Sequence, residues 1–284
     1  MLGAGGQVGR AVVRTMGGPH EIIAKARSEL DIADASQVGR AMTAARPDWV
    51  VNAAAYTAVD LAEDEPARAA AINDAAVGIL ADAAAGVHSR LLHLSTDFVF
   101  DGSSNRAYLP GDVPHPLSVY GATKLAGERR ALASGAAAIV LRTAWVYAAT
   151  GKNFVLTMLK LMRERDQVRV VSDQIGAPTW ARSLGEVIRD LLEVQAPAGI
   201  CHWTDLGVAS WYDFAVAVQD EALARGLLPR AVPIVPIATK EYPTRATRPA
   251  FSVLDTTATR AAISTPALHW RHNLRMMLDE LRAA

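Results

Sequence analysis

Met1-Leu2-Gly3-Ala4-Gly5-Gly6-Gln7-Val8-Gly9-Arg10-Ala11-Val12-Val13 sets glycines at 3, 6 and 9 just ahead of an apolar run with helical spacing. Glycine there permits a tight turn, close approach of backbone to a bound group and close packing of helix on strand. The helix N-terminus that follows favours an anion such as a pyrophosphate. The stretch reads as the strand, turn and helix that open a dinucleotide-binding unit, with Gly3, Gly6, Gln7, Val8 and Gly9 as cofactor-binding residues. Only Met1 and Leu2 precede Gly3. A strand is usually about 5–6 residues long, and two are expected to be too few for the ladder bonds of a central parallel strand. The expectation is a chain that starts further upstream, or an abnormally short first strand with a mobile turn.

Outward from this turn, strand-like and helix-like segments alternate. Candidate strands fall at 21–24, 49–52, 90–95, 138–143 and 168–172, and candidate helices near 9–16, 36–45, 65–85, 120–133, 153–164 and 180–194, with Asp34 and Ser36 as possible caps for the second. Such alternation predicts an α/β fold with a Rossmann-like, doubly wound parallel sheet. After about residue 145 the alternation degrades, and Pro229, Pro233, Pro236, Pro243 and Pro249 gather. The reading is a dinucleotide-binding domain over 1–145 and a smaller C-terminal substrate-binding lobe over 146–284, with late sheet elements returning from 146–225.

Two further segments carry chemistry. The apolar strand beginning at Arg90 delivers Ser95, Thr96 and Asp97 where a buried parallel strand ends, at the edge where open α/β sheets bind ligands. A helix cap or turn is the alternative for that triplet. Downstream, Ser-Val-Tyr-Gly-Ala-Thr-Lys-Leu-Ala-Gly-Glu places Tyr120 and Lys124 four residues apart, on one face if the segment is helical. A phenol, with a pKa of about 10, is a poor proton donor near neutrality unless a cation stabilises the phenolate. Hydroxyl, phenol and ammonium together form a proton-delivery group for a carbonyl that receives a hydride.

Composition excludes other classes. Half of the 284 residues are hydrophobic (51%) and 20% are charged, enough to fill a core. Lys plus Arg and Asp plus Glu both total 29, so there is no overall basic field for nucleic acid or an anionic membrane. The single cysteine, Cys201, rules out an internal disulfide and cysteine-rich zinc patterns, and points to a reducing compartment. No apolar stretch reaches the roughly 20 residues of a membrane span, and no signal-peptide pattern opens the chain, so a cytoplasmic protein is expected. None of the seven histidines falls in a His-Glu-x-x-His arrangement; His93, inside an apolar strand, reads as a core residue, and no metal is expected.

With these motifs in register the sequence resembles an extended short-chain dehydrogenase/reductase, and within that superfamily it is similar to the dTDP-4-dehydrorhamnose reductase family. The matching segments cover nearly the whole length: 3–9, 30–32, 51–60, 95–102, 120–128, Arg-Thr-Ala-Trp-Val-Tyr at 142–147, Asp-Gln-Ile-Gly-Ala-Pro-Thr at 173–179, and Glu-Tyr-Pro-Thr-Arg-Ala-Thr-Arg-Pro at 241–249. The last three are specific to the reductases.

The resemblance implies NADPH-dependent reduction of dTDP-4-dehydro-6-deoxy-L-mannose to dTDP-L-rhamnose, the last step of that pathway. Tyr120 would protonate the C4 oxygen, Lys124 would lower its pKa and hold the nicotinamide ribose, and Thr96 would bind the same oxygen. Asp31 and Ile32 match positions that contact the adenine, and Ala53, Ala54, Ala55, Tyr56 and Thr57 match the loop lining the cofactor. Asp97 and Trp145 would contact the substrate, residues 173–179 would help form the nucleotide-sugar pocket, and Arg245 or Arg248 would bind the diphosphate. After the second strand, Lys25, Ala26, Arg27 and Ser28 offer two cations and no immediate acid, which favours NADPH through Arg27, while Glu29 keeps NADH possible. Two departures stand out. Phe98 replaces the family's usual tyrosine, and the helix after the glycine turn reads Arg10-Ala11-Val12-Val13-Arg14, without the acid used in the magnesium-bridged dimers of some members. A monomer or weak homodimer is expected. Rival readings are another 4-keto nucleotide-sugar reductase or epimerase, or a non-catalytic NADP-binding regulatory subunit.

Overall fold

The computed structural model describes residues 1–18 and 20–283. At its centre Trp49–Asn52, Arg90–Thr96, Ile139–Thr143 and Gly199–His202 lie side by side in that order, all parallel. Leu91 to Thr96 and Ile139 to Thr143 are buried throughout, as in strands covered on both faces.

Beyond Trp49–Asn52 the sheet continues through Leu2, which bridges Asn52 on one side and Lys25 on the other. The expected strand at 21–24 is reduced to that bridge at Lys25. Short as it is, the first strand engages both neighbours. Leu2 N–H donates to the Val51 carbonyl at 2.8 Å and Ala53 N–H to the Leu2 carbonyl at 3.1 Å; Lys25 N–H donates to the Met1 carbonyl at 2.8 Å and Ala4 N–H to the Lys25 carbonyl at 3.1 Å. Met1, Leu2 and Ala4 suffice because successive residues present their backbone donors and acceptors to opposite neighbours. The expectation of a strand too short for its ladder, leaving the turn unanchored, is corrected.

Helices cover both faces, so the sheet is doubly wound. On one face Val12 and Met16, from helix Gln7–Thr15 and its end, pack with Leu184, Val187 and Leu191 of helix Ala181–Glu193. On the other, Val38 and Met42 of helix Ala35–Ala45 pack with Val77, Leu80 and Ala84 of helix Ala76–Gly86. Asp34, rather than Ser36, caps Ala35–Ala45, accepting the N–H groups of Ser36 and Gln37. The helical run expected over 65–85 is interrupted by a π-helical stretch, Ala71–Ala75. At 21 residues, Pro66–Gly86 is long and apolar enough by composition to cross a membrane, which corrects the expectation that no segment is. Its residues Ala76, Val77, Leu80, Ala81 and Ala84 are fully buried against the sheet.

A further apolar cluster joins helices Phe154–Glu164, Trp211–Leu223 and Trp270–Ala283 through Met158, Leu159, Phe214, Leu274 and Met277. Beside it Val168–Val171 pairs in parallel with Ile234–Ile237. Pro236 is tolerated there on the exposed side of an edge strand.

Candidate active site

Strand Arg90–Thr96 ends at Thr96, whose hydroxyl accepts the Phe98 N–H at 3.2 Å and donates to Asp97 Oδ1 at 3.0 Å. The triplet is thus a turn cap as well as a polar edge. Helix Val119–Ala133 starts from Ser118, which accepts the Gly121 N–H, and runs back along this strand with Tyr120 in its first turn and Lys124 one turn on. Phe98 meets the Tyr120 ring edge-on at 5.7 Å between centroids.

Lys124 is buried, and its Nζ donates to the Leu94 carbonyl at 2.6 Å and lies 3.3 Å from His93 Nε2. Burial draws its pKa down to about 8, against the Glu128 carboxylate, which raises it. Burial pushes Tyr120 up to about 12, with a Thr96 hydrogen bond acting the other way and Asp97 adding to the rise. In this arrangement Nζ faces Leu94 and His93. Asp97 is buried and raised to about 6 by that burial, and among the described residues its Oδ2 has no partner. Thr96, Tyr120 and Lys124 therefore meet at the carboxyl end of one strand, with an unpaired carboxylate oxygen beside them.

The residues expected to hold a dinucleotide border the same end of the sheet. Gly3 takes φ 76°, and a Cβ on it would stand 2.6 Å from the Ala54 nitrogen; a Cβ on Gly9 would collide with the Gly3 carbonyl. Helix Gln7–Thr15 has no side-chain cap among the described residues, so the N–H groups of its first turn remain open to a phosphate. Gln7 reaches the later chain, its Oε1 accepting from Asn153 Nδ2 at 2.9 Å. Ala53 to Thr57 follow strand Trp49–Asn52 directly. Asn73, in the π stretch, clamps this loop by accepting the Tyr56 N–H at 2.9 Å and donating to the Tyr56 carbonyl at 3.1 Å, while the Tyr56 hydroxyl turns away to Glu65. Arg27 is exposed, and Glu29 is committed to its own turn, accepting the Ala26 N–H at 2.8 Å. Asp31 accepts the Ala33 N–H, and the Ile32 side chain is buried in the core, leaving its backbone as the part that could meet an adenine. This cradle of glycines and open N–H groups fits a dinucleotide.

Just past strand Ile139–Thr143, Trp145 adopts φ 48°, a left-handed conformation strained for a bulky residue. Its ring stacks on Trp211 at 3.5 Å with 4° between planes, and a Cβ on Gly176 would come within 2.5 Å of its Cε2. A cleft of about 780 Å³ opens beside Trp211, lined by Phe154, Met158, Val170, Arg169, Gln174 and Arg248 among others. Arg248 forks onto Asp60, at 2.7 Å for the shorter bond, and Arg245 pairs with Asp64. Of the two, Arg248 lines the cleft.

Sequence reasoning missed Trp211, Asn73 and the partners of Lys124. For Asn73 a signal existed, a lone amide in an apolar helical run. Trp211 carries none, since its stacking partner lies in a distant segment. Among the described residues no group of three or more His, Cys, Asp or Glu could hold a metal.

A doubly wound parallel sheet with a glycine-lined turn, and a threonine, tyrosine and lysine at the carboxyl end of a central strand, define a short-chain dehydrogenase/reductase of the extended type. The sequence profile of the RmlD substrate binding domain matches residues 1–283. A dTDP-4-dehydrorhamnose reductase from Burkholderia thailandensis is 40% identical over 291 residues, covering 99% of this chain and 98% of the relative. Among solved structures, a dTDP-4-dehydrorhamnose reductase from Clostridium acetobutylicum superposes with a TM-score of 0.93 at 35% identity, covering 99% of this chain and 98% of that one. One from Bacillus anthracis, in complex with NADP, gives 0.92 at 32% identity, covering 98% and 97%. The chain belongs to the RmlD family, that of the dTDP-4-dehydrorhamnose reductases.

Proposed function

We propose that the chain is an NADPH-dependent oxidoreductase that reduces the C4 ketone of dTDP-4-dehydro-6-deoxy-L-mannose to give dTDP-L-rhamnose, the last step of that biosynthesis. The observation that carries this is the convergence of Thr96, Tyr120 and Lys124 beside the glycine cradle. NADPH, when bound, supplies the hydride. Tyr120 delivers its proton to the C4 oxygen, and Thr96 holds that oxygen with its hydroxyl. The Lys124 ammonium holds the nicotinamide ribose and stabilises the phenolate left on Tyr120. The free Oδ2 of Asp97 accepts a hydrogen bond from a sugar hydroxyl. Trp145 sets a flat face beside the ring, and Arg248, at the cleft, meets the diphosphate while its pairing with Asp60 fixes the guanidinium. The cytoplasm, with a monomer or weak homodimer and no nucleic-acid or membrane partner, fits the neutral, cysteine-poor composition.

The test is NADPH consumption by the purified chain with dTDP-, UDP- and GDP-linked 4-keto sugars, with product identified by mass and NMR. Rapid turnover of the dTDP-6-deoxy-L-sugar is expected. A preference for another base or sugar would support a related reductase or epimerase, and cofactor binding without turnover of any ketone would point to a regulatory subunit.

Cofactor choice rests on Arg27, because Glu29 already accepts the Ala26 N–H through one carboxylate oxygen, which holds it in its own turn. Arg27→Ala is expected to weaken NADPH by about 1.5–3 kcal/mol, the range for a hydrogen bond to a charged group, and to leave NADH almost unchanged. Equal losses for both cofactors in fluorescence titrations would show that Arg27 does not read the 2′-phosphate.

A further inference from the structure

His93 and Asn52 are fully buried, face each other in register on adjacent strands, and have no role in the steps above. The backbone orients the Asn52 amide, since its Oδ1 accepts the Ala54 N–H at 3.0 Å. Its Nδ2 then meets His93 Nδ1 at 3.0 Å. An amide nitrogen only donates, so Nδ1 must present its lone pair, and the proton of the neutral ring sits on Nε2. That Nε2 lies 3.3 Å from Lys124 Nζ. An ammonium has no lone pair to accept an N–H, whereas a neutral amine has one. The Leu94 carbonyl, 2.6 Å from Nζ, exerts the opposite preference.

We propose that His93, held by Asn52 as the Nε2-protonated tautomer, is a positioning residue that confronts Lys124 with a donor, keeping the ammonium's N–H groups off the ring and easing loss of its proton. The inference rests on the reading of Tyr120 and Lys124 as the reacting pair. Burial and the Lys124 charge hold His93 well below the usual histidine range, so the ring stays neutral. The other ionisable groups near Lys124 are Tyr120 and Glu128 on its own helix and Asp97 after the strand. Glu128 is held by Ser95 and by Arg142 of strand Ile139–Thr143. The π stretch contributes Asn73 and Asp74, the latter paired with Arg130 at the surface.

The first test needs no variant: nitrogen–proton correlation of the histidine rings in the wild-type protein, with His93 assigned by its loss in His93→Gln. A neutral His93 ring with its proton on Nε2 is expected, and a proton on Nδ1 would overturn the proposal. The second compares pH profiles of kcat/KM for the sugar at saturating NADPH. His93→Leu removes the opposing donor, so the basic limb should move up by about one pH unit, a tenfold change in the protonation equilibrium. His93→Gln, whose amide can keep an N–H toward Lys124, should stay near the wild-type limb. A basic limb unmoved in folded His93→Leu would leave His93 a core residue and nothing more. If His93→Leu fails to fold, Asn52→Asp takes its place, since its carboxylate accepts from Nδ1–H, reverses the tautomer and should move the limb upward; an unmoved limb there would equally overturn the proposal. Failure of the underlying reading is distinguishable, because Tyr120→Phe would then turn over normally whatever the tautomer of His93.

Discussion

Tyr120→Phe is expected to fold, to bind NADPH as the wild type does, and to lose turnover by on the order of 10²–10⁴-fold, the usual contribution of a positioned general acid. The ring stays in place because its surroundings are apolar on the side that matters: Phe98 meets it edge-on, and Tyr56, Ala62 and Ala69 form the cluster it packs against. What is lost is the hydroxyl that Thr96 contacts at the end of strand Arg90–Thr96. The substitution should lower kcat and kcat/KM together, since the interaction removed is made in the transition state. Melting temperature and the NADPH dissociation constant serve as controls. Near-normal turnover of a pure sample would remove Tyr120 from the mechanism.

Glu128→Ala is expected to cost about 3–5 kcal/mol of stability, the range for breaking a buried ion pair by deleting one partner. The Glu128 and Arg142 side chains are each 1% exposed, and the guanidinium forks onto the carboxylate at 2.7 and 2.9 Å. Ser95 donates to the same carboxylate at 2.5 Å. Deletion strands a charge and a hydroxyl where water has no access. The pair also ties helix Val119–Ala133, which carries Tyr120 and Lys124, to two central strands, so activity should fall with stability. Urea unfolding measures the effect, and a loss under about 1 kcal/mol would mean that the interior there relaxes to solvate Arg142.

Much of the fold was legible because burial on both faces writes itself as apolar runs. Strand Trp49–Asn52 fell where the sequence placed it, and helix Val119–Ala133 began one residue early, at a serine cap. The strand at 21–24 failed for a physical reason: only one bridge forms at Lys25, although Ile22 and Ile23 have strand propensity. Propensity yields there to a sheet edge with a single residue to pair with. The glycine turn was legible because its requirement is local, a positive φ and room for a carbonyl. Asn73, Trp211 and the pairing of Arg245 and Arg248 with Asp64 and Asp60 were not, since each depends on segments that meet only after folding. The apolar length of Pro66–Gly86 went unread, and part of it, Ala76, Val77, Leu80, Ala81 and Ala84, is spent on packing in the core.

The measurement that bears most directly on this mechanism is a crystal structure of the chain with NADPH and dTDP-L-rhamnose bound. The expected result is the sugar C4 oxygen within hydrogen-bond reach of both the Tyr120 and Thr96 hydroxyls, Lys124 Nζ on the nicotinamide ribose, and the diphosphate at Arg248. A sugar lodged elsewhere, with its C4 oxygen out of reach of Tyr120, would contradict it.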